Sequence, residues 1–497
     1  MSGSGIRHIP EEQMLLSDRT RNGTSILPTN NGKLSEKQAF LGPEPVRLTP
    51  AWEETNLPND ELNFKGVTME HHLEAHPPSD RYNIVYLIMF LHGMGTLLPW
   101  NMFINAKSYF VDYKLSYNYT GIETEYAANF LPYLGLAAQG PSFIFNWLNV
   151  FVRIGGKLST RIVWSIVVEM LIFVVTAALA MIDSKDWPDI FYYVTMLSVV
   201  VLNMANGIYQ NTIYGMAAKL PPKYTGAIIL GSNVSGTFSS LISIGSLIIA
   251  PNAKTAAIYY FITALFVLSL CFDTYFALPL NRFYKYNELM HQKEIQKKTK
   301  ETVSSPNEKT NIPHWKVLSK CYPQLFNIFF IFFVSLALFP SVQSDIKRSD
   351  ENFFINDKFY VEIMCYLTFN VSAMLGSYIA TFFQWPKPKY LWIPVILRGL
   401  IFVPLFMLCN YQPTNVDRAL QVYITNDFVY LAIGILMAFT SGYFSSLAMM
   451  YNPGCVDSEL SHVAGMYGAA TLITGICCGL GASMAFPWLV RNIVLPF

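Results

Sequence analysis

Apolar residues in this chain gather into blocks of about 20, the length that carries an α-helix across the hydrocarbon core of a bilayer. The blocks run near 83–105, 127–150, 161–182, 190–216, 225–250 and 256–278. After a polar stretch at 279–322 they resume near 323–341, 360–383, 391–409, 428–449 and 463–488. Lipid offers backbone N–H and C=O groups no partner, so a spanning segment is a helix or a barrel strand, and these blocks are about twice the length of a barrel strand. The expected fold is an all-α integral membrane protein with about eleven transmembrane helices. Composition agrees: 52% of residues are hydrophobic and 13% charged, the latter roughly half the share of a soluble chain.

The blocks predict four parts: a disordered cytoplasmic tail at 1–80, a first bundle of six helices at 81–278, a cytoplasmic linker at 279–322 and a second bundle of five at 323–497. Basic residues set the orientation, since lysine and arginine favour the cytoplasmic side. With the N-terminus inside, the inner connections hold Arg153, Lys157, Arg161, Lys219, Lys223, Lys387 and Lys389, plus nine basic residues in 279–322. The outer ones hold about half as many, and an odd helix count puts the C-terminus outside. No basic region followed by a short apolar stretch and a cleavage site opens the chain, so the first block is expected to direct insertion. Asn118, in the sequon Asn118-Tyr119-Thr120 of the first outer loop, is a candidate glycosylation site; the sequons at Asn233 and Asn370 fall in apolar blocks. The plasma membrane is the expected location; the tail carries EEQMLL around Glu11, Leu15 and Leu16, an acidic dileucine pattern that makes an endosomal or lysosomal membrane the alternative.

A net charge of +1 argues against a nucleic-acid partner. The seven cysteines lack CxxC spacing and read as small core residues. Metal-ligand clusters, nucleophile elbows and catalytic carboxylate pairs are missing from the pattern, so an enzyme is disfavoured and no cofactor or metal is expected.

An internal echo sharpens the architecture. The fourth block contains NGIYQN from Asn206 and the tenth SGYFSS from Ser441; each is followed by a proline-containing loop and a block that repeats glycine, Gly226, Gly231 and Gly236 in one, Gly465, Gly468 and Gly475 in the other. The first and seventh blocks share a proline beside an aromatic residue, Pro99 with Trp100 and Phe339 with Pro340. All three pairings are offset by six blocks. A parallel repeat lacking its last helix the second time fits a two-bundle transporter with its site between the halves.

The string GMGTLLPWNMF from Gly93 to Phe103 resembles the first-helix signature of the equilibrative nucleoside transporter family. Further similarity runs through PPKYTGAIILGS, LFPSV at 338–342, FNVSAMLGS from Phe369, LIFVPLFMLCN from Leu400 and SGYFSSLAMMY from Ser441. The resemblance implies a major-facilitator-like arrangement of six plus five helices, and facilitative, mostly ion-independent movement of nucleosides and some nucleobases. A nucleoside or a related small neutral solute, together with membrane lipid, is then the expected partner.

A nucleoside asks for an aromatic plane, a side-chain amide and a few polar groups on apolar walls. Trp100 matches the family's pocket tryptophan, and Ile104, one turn on, matches an apolar pocket position. Gln210 matches the fourth-helix glutamine that meets the base. Gln139, two residues before Pro141, lies where the family has an inward-facing stretch, and Phe339 is taken with these as a substrate-binding candidate. On the eighth helix, family members carry FNxxDxxGR. This chain has Ala373 and Ser377 at the charged positions, so Ser377 is the polar candidate left there, and an altered substrate range or affinity is expected. Nucleobase or organic cation transport, or a receptor that keeps the fold without transport, are the alternatives. Arg398 on the ninth helix lies one position before the usual arginine. Glu169, in WSIVVEMLIF, is an intramembrane ionisable group with no assigned partner.

Overall fold

A computed structural model describes residues 77–106, 108–122, 130–152, 156–249, 252–302, 313–350, 353–413 and 418–492. The dileucine pattern of the N-terminal tail lies outside them. The first half of the chain forms α1 (Ile84–Asn105), α2 (Phe130–Phe151), α3 (Leu158–Met181), α4 (Pro188–Ala217), α5 (Pro222–Ile249) and α6 (Ala253–Ala277). The second half forms α7 (His314–Leu338), α8 (Thr368–Phe382), α9 (Trp392–Leu408), α10 (Asp427–Tyr451) and α11 (Ser461–Ser483). Among the described residues eight helical stretches are long and apolar enough to cross a membrane. Helices α2, α5 and α9 occupy the remaining apolar blocks.

Two boundaries depart from the sequence reading. The polar stretch at 279–322 contains a helix, Arg282–Thr302, and α7 begins at His314, nine residues before the apolar block. The linker helix is rich in lysine, glutamine and glutamate, good helix formers that carry no apolar signal, and in 314–322 two lysines and a histidine interrupt the apolar run. The eighth block is also less regular than its pattern: a short helix at Asp357–Val361 and a π-helical turn at Glu362–Leu367 lead into α8.

Helix pairing repeats across the chain. The four most extensive helix contacts are α1 with α5, α7 with α11, α8 with α10 and α2 with α4. These are two pairs of pairs, each offset by six helices. Glycine permits the close approach in every case. A Cβ at Gly231 would lie 1.9 Å from the Phe90 carbonyl of α1, and one at Gly475 would lie 2.6 Å from the Phe329 carbonyl of α7. The echoed Gly207 and Gly442 behave alike: their Cβ atoms would meet the Ser142 carbonyl of α2 at 2.9 Å and the Ala373 carbonyl of α8 at 2.0 Å. Backbone approach of this kind is the usual route to helix association in lipid, where hydrophobicity no longer drives it.

The two halves meet by an exchange with the same symmetry. Helix α5 leaves the first half to touch α8 and α10, and α11 leaves the second to touch α2 and α4. Helices α3 and α6 stand behind, packed on α4, α1 and each other. Beyond α1, Lys114 is buried although it reads as a loop charge: its ammonium donates to the Ile182 carbonyl at 2.6 Å and to Ser184, tying two connections together. Burial also pushes its pKa down. Asn118 is exposed in the short helix Tyr117–Thr120. Asn233 and Asn370 spend their amides between helices instead, on Ser377 and Ser240.

Candidate functional site

Helix α4 carries the densest polar stripe. Asn206 and Gln210 stand one turn apart and are buried, and the side-chain carbonyl oxygen of each has no hydrogen-bond partner. Unsatisfied acceptors at this depth are costly unless something else pairs with them. Their neighbours on α4 hold the surrounding helices in place. Gly207 admits α2, and the Asn211 amide donates to the Met466 carbonyl of α11 at 2.8 Å. Asn149 of α2 donates to Asn211 and Thr212, and accepts from Arg161 at 2.9 Å. The two open acceptors thus sit on a helix whose neighbouring polar groups Asn211 and Thr212 are committed to α2 and α11.

Trp100 and Ile104 are half-buried on α1 and pack against the apolar core. Between them and α5, Asn101 donates to Ser235 at 3.3 Å. Gln139 is half-buried on α2, one turn before Ser142, and its carbonyl faces the Cys477 thiol of α11 at 3.8 Å. Phe339 lies just past the end of α7, stacked on Phe369 with ring centroids 3.8 Å apart and planes within 4°. One face of the Phe339 ring is therefore already used.

Ser377 is fully buried and doubly engaged. Its hydroxyl accepts from the Asn233 amide of α5 at 2.5 Å and donates to the Gly442 carbonyl of α10 at 3.2 Å. Ala373 beside it receives the close approach of Gly442. At Ala373 and Ser377 this chain has a tight three-helix junction. Arg398 is buried apart from that junction: it donates to the Ile331 and Met437 carbonyls and to the Ser335 and Thr440 hydroxyls, so it joins α9 to α7 and α10. Sequence reading missed Asn233 as a partner of Ser377. The only signal was a polar residue in an apolar block, in a sequon.

The halves touch along the length of these helices, at Ser240 with Asn370 and at Asn233 with Ser377, and again at the ends near the linker helix. A Cβ at Gly465 would lie 2.6 Å from the Tyr214 carbonyl, and one at Gly226 2.9 Å from the Met450 sulfur. Trp147 donates to Thr474 at 2.9 Å, and within the second half His314 of α7 meets the Tyr467 hydroxyl at 3.2 Å. On the linker helix, burial and then the nearby Lys219 lower the pKa of His291.

Glycine-fastened helices exchanged between two halves, with unpaired amide carbonyls beside the exchange, define a polytopic membrane transporter of the major-facilitator fold. Solved structures agree on the fold. The proton:xylose symporter XylE matches with a TM-score of 0.56 at 11% identity, over 83% of this chain and 90% of that one. The human organic anion transporter MFSD10 matches with a TM-score of 0.52 at 12% identity, over 83% and 96%. A family model described as nucleoside transporter matches residues 196–489. Human equilibrative nucleoside transporter 1 is 30% identical over 84% of this chain and 99% of its own length, and human equilibrative nucleoside transporter 2 is 28% identical over 83% and 99%. Equilibrative nucleotide transporter 1 of Arabidopsis thaliana is 25% identical over 83% and 88%. The chain belongs to the nucleoside transporter family; it is a transporter and not an enzyme.

Proposed function

We propose that this protein moves nucleosides passively across a membrane by alternating access, with the first and second halves rocking about the α5 and α11 contacts. The observation that carries the reading is the pair of unpartnered carbonyl oxygens on Gln210 and Asn206. A nucleobase edge supplies the N–H donors these oxygens lack, and an amide pairs bidentately with adenine in other settings. Trp100 offers an aromatic face on the neighbouring α1, with Ile104 beside it; Gln139 and Phe339 complete the proposed walls. The contacts at the linker end, Gly226 with Met450 and Gly465 with Tyr214, must part for that side of the carrier to open. The plasma membrane is the proposed location, with an endolysosomal membrane the alternative.

Ser377 supports a narrower claim about range. Its hydroxyl is spent on Asn233 and Gly442, so ribose recognition is weaker here than where a charged pair stands, and nucleobases compete better. The test is uptake of labelled adenosine, uridine and their free bases into cells lacking endogenous carriers. Gln210→Ala should raise the apparent KM for purine substrates roughly tenfold, the worth of about 1.4 kcal/mol from a buried hydrogen bond. Absent uptake by a surface-expressed wild type would end the transport reading, and unchanged kinetics in the variant would remove Gln210 from the site.

A further inference from the structure

Four polar side chains that take no part in this pocket converge within the first six helices. Glu169 of α3 is completely buried, and neither carboxyl oxygen has a hydrogen-bond partner. It lies within electrostatic reach of the Tyr209 hydroxyl of α4 and the Cys271 thiol of α6. His92 of α1, also completely buried, shares a 2.6 Å hydrogen bond between its Nδ1 and the Tyr209 hydroxyl, while its Nε2 has no partner. The His92 ring also meets the edge of Tyr275 of α6, with centroids 6.1 Å apart. Glu169 sits eleven residues into α3, which at 1.5 Å per residue is about 17 Å from the helix start, near mid-depth.

Neither arginine nor lysine belongs to this set. Asp273, the carboxylate of α6, is exposed and turned away. An ionised carboxylate with neither a cation nor a hydrogen-bond donor is not tolerated in such an interior; the group takes up a proton instead. A metal ion is a poor alternative occupant, since among the described residues no group of three His, Cys, Asp or Glu side chains is arranged to hold one.

We propose that Glu169, on the helix packed against the α4 of Tyr209 and the α6 of Cys271, is a proton-binding site whose occupancy the packing of α3, α4 and α6 requires, making the carrier subject to control by pH. Loss of the proton leaves a bare carboxylate against these helices and loosens them. The link to transport is direct. A Cβ at Gly95 would lie 2.8 Å from the Cys271 sulfur and 3.1 Å from the Tyr209 hydroxyl, so α1 rests on the cluster five residues before Trp100. Tyr209 itself precedes Gln210. The helices that bear the proposed aromatic plane and amide are the ones the proton state acts on.

The transport consequence rests on the function proposed above, whereas the stability consequence does not, and the experiment separates them. Thermal unfolding of the purified full chain is followed between about pH 5 and pH 9 for the wild type, Glu169→Gln and Glu169→Met. The folded wild type retains a proton that the unfolded chain releases above the carboxylate range, so its stability falls as pH rises, up to tenfold in the folding equilibrium per pH unit for one proton. Relative to the wild type, both variants should gain stability progressively toward alkaline pH, and Glu169→Met serves if the glutamine variant folds poorly. A constant offset between wild type and variants across the range would overturn the proposal. Uptake follows the same contrast, falling with pH in the wild type and losing that component in the variants. PH-independent uptake by the wild type would sever the site from transport. No uptake at any pH would refute the transport reading while the unfolding curves still decide the site.

Discussion

Ser377→Ala tests whether the α5–α8 junction holds the closed arrangement. The substitution deletes the acceptor of the Asn233 amide at 2.5 Å and the donor to the Gly442 carbonyl at 3.2 Å. Asn233 is half-buried, so part of its amide regains water and the net loss is that of an ordinary hydrogen bond, about 1 kcal/mol. Such a bond exists only while α5 and α8 are together, and its removal should raise the population of the parted state roughly fivefold. The readout is the labelling rate of Met450→Cys by a membrane-impermeant thiol reagent. Met450 is buried against Gly226 on the linker side of the same contact. Cys455, Cys477 and Cys478, the native thiols that are not buried, are replaced by serine so that the introduced thiol reports alone. Ser377→Ala and Asn233→Ala should each speed labelling roughly fivefold, and the double variant should add little to either. Additive effects, or unchanged labelling, would refute the claim that this one bond weighs on closure.

Three further predictions concern other parts of the molecule. Gly231→Ala should destabilise the protein by at least about 2 kcal/mol in thermal unfolding, because its methyl meets the Phe90 carbonyl, whereas Gly135→Ala, which meets nothing within 4 Å, should leave the stability within about half a kcal/mol of wild type. Burial and Lys219 lower the pKa of His291, so it stays neutral in the folded protein while an unfolded histidine takes up a proton; its contribution to stability holds above about pH 6.5 and fades as pH falls. Protease cleavage in the linker should then rise on acidification, and His291→Leu should suppress the rise. Asn118→Gln should abolish a glycosidase-sensitive gel shift in protein made by a glycosylating cell, and Asn233→Gln should leave that shift intact.

The apolar blocks of the sequence determined the all-helical membrane fold, because lipid leaves a long apolar segment one way to satisfy its backbone. The glycine echo between NGIYQN and SGYFSS was legible for a related reason: only glycine lets two backbones close to the distances at Gly207 and Gly442. The linker helix at Arg282–Thr302 escaped notice, since an apolar-length criterion registers what lipid dissolves and is blind to a helix made of charged residues. Trp100 and Gln210 were picked out by resemblance and by the chemistry of a base, yet only the structure gave Gln210 an unpaired oxygen and Asn206 the same property one turn away.

What the tertiary structure alone decided is which polar groups meet. Ser377 and Asn233 lie 144 positions apart, and His92 and Tyr209 lie 117 apart; their contact depends on the rotation of each helix and the order of packing, which a one-dimensional pattern does not encode. Glu169 stood out in the sequence as a charge in an apolar run. Its lack of any partner became a property only once α4 and α6 had packed against α3.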